Sequence, residues 1–448
     1  MNSLQSNYEV AFRAVDTTTA EMRAAIQLWN NLYYEKEATP DYDPCQQIPY
    51  TIVRKLAKTV FSEYAATSKD AFISDVLEAI GKKKTTAMNN ALICGESGIK
   101  PVPTANGFRV SIVNRQNMLV FARDGDGNET DVGMAEKSVD GRYYYTLLER
   151  RTADESGYLT IENKLYRSGN PGTLGENVPL TTIPAYADLA DEYTFQKPLG
   201  GVGIAWLKTP MENCVDGSQD SVSVYAAAVG LIRNINRNEA QINGEFDRGK
   251  SRIIASADML EFDASGKRKE LSSDVFTAVD EAPEDVGITI FSPDLREQSY
   301  LARKKEYLRN VESVIGLKRG LLSEVEAEER TATEITSSEG DYNLTIIDFQ
   351  QMWESALREA ARLCGIFGQM YHIPGAHDVD DDSIVVDWGN GVLFDEEKTW
   401  ADYKDMVAAG LLKPEIALGW RFNMPTDTEA QQEKIREKFM PDAGEDSE

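Results

Sequence analysis

Two runs of apolar residues at helical spacing, separated by a segment without it, constrain this chain more than anything else in it. In the first, Asp220 to Arg248, the residues Tyr225, Ala228, Ile232, Ile235, Ile242 and Phe246 keep three- and four-residue steps, and only Glu239 breaks the register. In the second, Pro293 to Ile315, the residues Leu301, Leu308, Val311 and Ile315 hold the same phase, and Pro293 suits a helix's first turn. Stripes this narrow predict helices lying side by side rather than sunk in a globular core. The segment between them, Ser251 to Phe291, reads as short strands at Arg252–Ala255, Val275–Val279 and Gly287–Phe291, with turns at Asp263–Gly266 and Pro283. The pattern predicts a small module carried on two parallel helical posts.

The rest of the chain is predicted to be α+β. From Thr19 to Gly95 the period is helical, with Met22, Ile26 and Trp29 and then Ile52, Leu56, Val60 and Tyr64 at turn spacing, and Pro49 in a first turn. Between Lys100 and Tyr166 the period falls to two. Asn106-Gly107 and the turn Ala153–Gly157 then predict a meandering antiparallel sheet. A Pro- and Gly-rich passage runs on to Gly217. A third long helix, Thr331 to Gln369, carries Ile346, Phe349, Trp353, Ala356, Ala360, Leu363 and Phe367 on one face. It would be about 55 Å long, with a kink expected at Gly340. Beyond Asp378 the sequence predicts a strand at Ile384–Asp387 and helices at Asp395–Ala409, Pro414–Trp420 and Thr428–Phe439. A disordered tail, Asp442–Glu448, is expected to follow.

With 47 Lys and Arg against 74 Asp and Glu, the net charge is −27, which disfavours binding to DNA or an anionic membrane over the whole surface. Residues 378–448 hold 19 acids and 7 bases, net −12. The residues around the second post run the other way. There Arg296, Arg303, Lys304, Lys305, Arg309, Lys318 and Arg319 oppose Asp294, Glu297, Glu306 and Glu312, net +3. Four scattered cysteines without a CxxC pair point to reduced thiols. The N-terminal residues lack a signal peptide's pattern, and the most apolar run, Val222–Ile232, is too short to span a bilayer, so a cytoplasmic origin without a membrane is expected.

No catalytic constellation emerges, and neither a cofactor nor a metal is expected. Asp124, Asp126 and Asn128 imitate a calcium loop, but Glu129 stands where Gly is needed and Ala135 where the closing Glu belongs, so a hairpin turn is the better reading. Gly81-Lys82 lacks the rest of a phosphate-binding loop, and Gly201-Val-Gly203 lacks the third small residue of a dinucleotide fingerprint. Gly95-Glu-Ser97-Gly98 is one residue short of a nucleophile elbow. Asp378, Asp380, Asp381 and Asp382 beside His377 leave a cation site and a solvated acidic loop both open.

The order of these elements, together with several phrases, resembles the portal proteins of tailed bacteriophages, in the siphophage type. The phrases include Trp29-Asn-Asn-Leu-Tyr-Tyr34, Ala91-Leu-Ile-Cys-Gly-Glu-Ser-Gly-Ile-Lys-Pro101 and Tyr143-Tyr-Tyr-Thr-Leu-Leu-Glu149. Tyr158-Leu-Thr-Ile-Glu-Asn-Lys-Leu-Tyr166, Lys197-Pro-Leu-Gly200, Thr331-Ala-Thr-Glu-Ile335, Gly389-Asn-Gly-Val-Leu-Phe-Asp395 and Val407-Ala-Ala-Gly-Leu411 follow in the same order. The resemblance covers about Thr19 to Phe439. It departs from the family in a short insertion between the two posts and a short C-terminal region.

That resemblance implies a ring, usually of about twelve copies, at one capsid vertex of the virion, assembled in the host cytoplasm. Double-stranded DNA would be packaged through it by a terminase and would leave into a tail, without sequence recognition. Capsid or scaffolding protein and a head-completion adaptor would be further partners. Residues 1–219 would form the wing, 220–250 and 293–316 the two stem helices, and 251–292 a small α/β clip. Residues 317–330 would be the tunnel loop, 331–377 a long wing helix, and 378–448 the crown and acidic tail. DNA-facing residues would then be Lys318, Arg319, Glu324, Glu326 and Glu328. Arg303, Lys304, Lys305 and Arg309 would contact capsid or neighbouring subunits, and Ile232, Ile235, Leu308 and Val311 would form the seam between subunits. A plainer account of the glutamates is helix capping by Ser323 and Glu326. Residues alone leave open another ring-forming virion component, an adaptor or capsid protein, and an acidic enzyme whose site assembles from scattered carboxylates.

Overall fold

The computed structural model describes residues 3–36, 45–104, 107–249, 252–256, 275–278, 289–291, 296–323, 332–389, 396–422, 424–426 and 428–440. They fall into two compact units, Met1–Val60 with Ala66–Val385, and Phe61–Ala65 with Val386–Glu448. The helices of the larger unit are α1 (Ser3–Phe12), α2 (Ala20–Tyr33), α3 (Ile48–Val60), α4 (Ala71–Gly81) and α5 (Lys84–Cys94), then α6 (Val229–Arg248), α7 (Glu297–Ile315) and α8 (Ala332–Met370). The early strands are β1 (Ala65–Thr67), β2 (Glu96–Thr104), β3 (Gly107–Asn114), β4 (Met118–Arg123), β5 (Glu129–Asp140), β6 (Tyr143–Ala153) and β7 (Leu159–Ser168). After them come β8 (Glu176–Val178), β9 (Glu192–Thr194), β10 (Ala205–Lys208), β11 (Arg252–Ser256), β12 (Val275–Ala278), β13 (Thr289–Phe291) and β14 (Val385–Asp387). The fold is α+β.

The helices form where the stripes place them. Thr19 caps α2 by accepting from the Met22 N–H at 3.0 Å, and Met22, Ile26 and Trp29 are then buried one turn apart. Asp70 caps α4 through the Ile73 N–H at 2.9 Å. In α8 all seven residues of the expected stripe are buried, and the helix packs on β2, β10, α3 and α4. The stripe on α8 is therefore spent inside the protomer. Gly340 lies within α8 without ending it.

Two sheets carry the middle of the chain. One has the order β10-β2-β3, and the other runs β4-β5-β6-β7-β8 with β9 also on β7. The meander is antiparallel as predicted, but it begins at Glu96 rather than Lys100. Asp154 closes the turn after β6 by accepting from the Ser156 and Tyr158 N–H groups, each at 2.9 Å. The strand β10 was hidden in the loop-rich passage, and its partner is β2, far back in sequence. Tyr8 fastens α1 to the larger sheet, with its hydroxyl donating to the Met134 carbonyl at 2.5 Å.

The first post starts later than predicted. Residues 220–225 are not helical, a 3-10 turn covers Ala226–Ala228, and α6 begins at Val229. Long-range bonds claim this backbone. The Val224 N–H and the Ser223 hydroxyl both donate to the Leu92 carbonyl at 3.0 Å, and Thr209 Oγ1 donates to the Val222 carbonyl at 2.6 Å. Tyr225, in phase with the stripe, instead fills the core and donates to the Trp29 carbonyl at 2.8 Å. Gly95 ends α5 at φ 90°, where a Cβ would lie 2.2 Å from the Ser221 carbonyl oxygen.

A buried ionic cluster pins the same strap. Arg115 pairs with Glu96 at 2.6 Å and Asp220 at 3.3 Å, Arg123 with Asp220 at 2.7 Å, and Lys208 with Glu129 at 2.8 Å. Burial pushes the Glu96 carboxyl up, against the pull of Arg115 and with Glu129 adding to the rise. Such clusters specify geometry more than they add stability.

The three strands expected between the posts form a sheet in which β11 pairs parallel with β12 and antiparallel with β13. Residues 257–274 and 279–288, with both expected turns, lie outside the described residues, as does Pro293. In the smaller unit, α9 (Glu396–Ala408), α10 (Pro414–Arg421) and α11 (Glu429–Phe439) agree with the predicted helices to within about two residues. Thr428 and Gln431 form a capping box on α11, Tyr403 and Trp420 meet edge to face at 5.0 Å, and Arg436 pairs with Glu415 at 2.6 Å. The expected tail lies outside the described residues.

Candidate functional site

The segment following α7 is built on one buried carboxylate. Gly316 ends the helix in the left-handed conformation at φ 76°, where a Cβ would lie 2.7 Å from Thr345 Oγ1. The chain then doubles back over the last turn of α7. Glu312, fully buried, accepts from the N–H groups of Gly320 (3.1 Å), Leu322 (2.5 Å) and Ser323 (2.8 Å), and from the Ser323 hydroxyl (2.9 Å). Lys55 donates to the Leu321 carbonyl from α3. Charged acceptors make the stronger hydrogen bonds, so this clasp fixes residues 320–323 to the helix end.

Lys318 and Arg319 lie between Gly316 and the clasped residues, with Arg319 exposed and Lys318 half-buried. Glu324, Glu326 and Glu328 lie outside the described residues. The Ser323 hydroxyl donates to Glu312, and Glu326, the other half of the expected capping box, lies outside the described residues.

The posts α6 and α7 pack along each other. Ile232, Ile235 and Val311, three of the four residues assigned to a seam between subunits, are buried within the single chain. Leu308 is half-buried, while Phe246, Leu301 and Val314 are 44%, 47% and 51% exposed. Glu239, the break in the stripe, pairs with Lys304 at 2.6 Å, and Lys304 also donates to Gln46 at 3.2 Å. Arg296 pairs with Glu245 at 2.9 Å. Arg296 and Lys304, the latter expected to contact capsid or neighbouring subunits, thus join post to post within the chain. Arg303 lies over the Tyr307 ring at 4.7 Å, Lys305 is half-buried, and Arg309 is half-buried.

The other candidates resolve locally. Asp124 accepts from the Asp126 and Asn128 N–H groups at 2.9 and 2.8 Å, a turn, and its bonds to Asn128 hold its carboxyl below the usual range. His377 faces Asp70 at 3.8 Å and the Phe72 ring, while Asp378 takes a hydrogen bond from Gln369 at 2.9 Å. Among the described residues, no group of three His, Cys, Asp or Glu is placed to hold a metal. Cys94 is buried, which pushes its thiol up to about 12, and Cys364 is raised likewise. No described helix is long and apolar enough to cross a membrane.

The clasp was missed by sequence reasoning, although a signal existed. An acid in the last turn of a helix opposes the helix dipole, so Glu312 four residues before Gly316 called for a donor.

Residues 48–439 match the model of the family described as phage portal protein, SPP1 Gp6-like. The chain belongs to this portal protein family. As a portal protein it is a bacteriophage virion component and part of a head–tail connector. No curated protein matches the portal chain. Among solved structures, it is similar to one described as the neck of a native GTA particle computed with C12 symmetry. The identity there is 11%, with 94% of this chain and 99% of that chain covered and a TM-score of 0.47.

Proposed function

We propose that this portal protein forms a ring-shaped channel of about twelve copies at one capsid vertex. Double-stranded DNA is packaged through it by a terminase and later leaves into the tail. Family membership over residues 48–439 carries this reading. In it, α6 and α7 are the stem, residues 251–292 the clip that docks terminase and then a head-completion adaptor, and residues 317–330 the tunnel loop. Residues 1–219 and 331–377 form the wing, and 378–448 the crown.

The electrostatics support a conduit. A wall lined with Lys and Arg would bind duplex DNA by counterion release and stall it, whereas an acidic chain repels phosphates. The Glu312 clasp gives the tunnel loop a rigid base, so that Lys318 and Arg319 would sit at a fixed distance from the end of the stem. The test is Lys318→Ala with Arg319→Ala in an in vitro packaging assay. Packaging or DNA retention falls while rings form at normal yield. Unchanged packaging and retention would remove these two residues from the DNA path.

A further inference from the structure

We propose that the groove between the outer edge of β3 and the outer half of β5 is a docking site for an extended, acidic segment of a partner protein, taken up as an added strand. The strand β3 ends its sheet and pairs with β2 on one side only. On the other sheet, β4 pairs with β5 only as far as Met134, so among the described residues Ala135–Asp140 have β6 on one side and no strand on the other. The chain turns from β3 through Arg115–Asn117 directly into β4, which belongs to the other sheet. Both unpaired edges open on one cavity of about 620 Å³, lined by residues 109–114 of β3 and 134–137 of β5. At about 3.3 Å per residue, that stretch of β3 offers about 17 Å of edge.

Charge selects the occupant. Lys83, Arg109 and Lys137 line the groove, are exposed, and make no ion pair with a described residue. Of the two acids that line the groove, Glu149 is paired and Glu136 keeps its charge, so Lys83, Arg109 and Lys137 leave it net positive. Glu149 pairs with Lys100 at 2.9 Å and Arg151 at 2.5 Å, and Glu136 accepts from the Tyr186 hydroxyl at 3.1 Å. A groove with three unpaired cations in a chain of net charge −27 is a local exception that an acidic segment complements. Strand edges display N–H and C=O groups in alternation, and a polypeptide satisfies both, whereas a phosphate backbone offers no donors to the carbonyls. Lys and Arg on an edge also serve as guards against pairing, and a pure guard rejects every strand.

The test uses the full-length protein and two fluorescein-labelled peptides of about eight residues. One alternates Val or Thr with Glu, and the other replaces each Glu with Lys. The Glu peptide binds saturably by anisotropy, weakens with added salt, and slows amide exchange in residues 109–114 and 135–137. Arg109→Glu with Lys137→Glu weakens it at least about tenfold. Ser111→Trp, which fills the groove without changing charge, weakens it as well and stands in if the charge variant misfolds. The proposal is overturned if neither peptide binds, which is the guard outcome. It is also overturned if the Lys peptide binds equally, if Ser111→Trp leaves affinity unchanged, or if protection appears elsewhere.

Discussion

Single carboxylates set the two most specific local structures, and each is testable alone. Replacing Glu312 by Gln keeps one acceptor and turns an amide donor toward the N–H groups of Gly320, Leu322 and Ser323. Glu312→Gln is expected to lose about 3 kcal/mol in chemical denaturation, with faster amide exchange at residues 320–323. Exchange unchanged there would sink the clasp. Glu149 is the second case. Burial alone would raise its carboxyl, but Lys100 and Arg151 overcome that and hold it at about 2, against 4.5 when unperturbed. Its contribution is therefore fully present above pH 4.5 and is lost as the pH falls toward 2, with a size of about 3 kcal/mol. Wild type should lose melting temperature across that window faster than Glu149→Gln, which starts lower at neutral pH. The role of Glu149 was not legible in the sequence, and that of Glu312 was signalled only by its place in the last turn before Gly316. Charge counts entered Glu312 merely as one acid among bases, and proximity of acids along a chain carries no information about a fold's interior.

At the scale of elements, legibility followed the range of the interactions. The stripe on α8, and Ile52, Leu56 and Val60 on α3, were readable because period and burial coincide there. Tyr64 falls beyond the end of α3, and four consecutive residues are buried in each of β5 and β6, so turn signals rather than alternation carried the meander. The start of α6 was not, because Leu92 and Thr209, distant in sequence, take the backbone of Val222–Val224 away from the helix. The strand β10, four residues in a Gly-rich passage, was invisible for the same reason. The posts illustrate a subtler limit. A narrow stripe requires a partner helix without saying whose it is, and α6 finds α7 in its own chain. The junction after α7 depends on Gly316, at φ 76° with Thr345 Oγ1 against any Cβ. Gly316→Ala is expected to cost about 1–2 kcal/mol from the backbone alone, more from that contact, measured by urea unfolding. A neutral result would mean that Thr345 yields and the left-handed cap is dispensable.

For the whole molecule, the acidic composition and the covered stripe together decide what a ring can be made from. Each copy carries −27, so closed assembly brings like charges together and needs apolar contact to offset them. Ile232 cannot supply that contact, being 1% exposed within one chain, but Leu301, 47% exposed on α7, can, alongside Phe246 and Val314. Two substitutions separate these layers. Ile232→Asp buries an unpaired carboxylate in the protomer, a penalty of several kcal/mol, and should lower the unfolding midpoint of the single chain. Leu301→Asp adds charge where the protomer is already open to water, so it should leave that midpoint nearly unchanged. It should instead empty the peak that the proposed ring is expected to give in native mass measurement, at about twelve times 49.9 kDa for wild type. An acidic enzyme would appear at about one to four copies and ignore Leu301→Asp. Closed rings from Leu301→Asp at normal yield would place the seam on another face of the protomer, since a carboxylate desolvated at every interface around a ring repeats its cost once per copy.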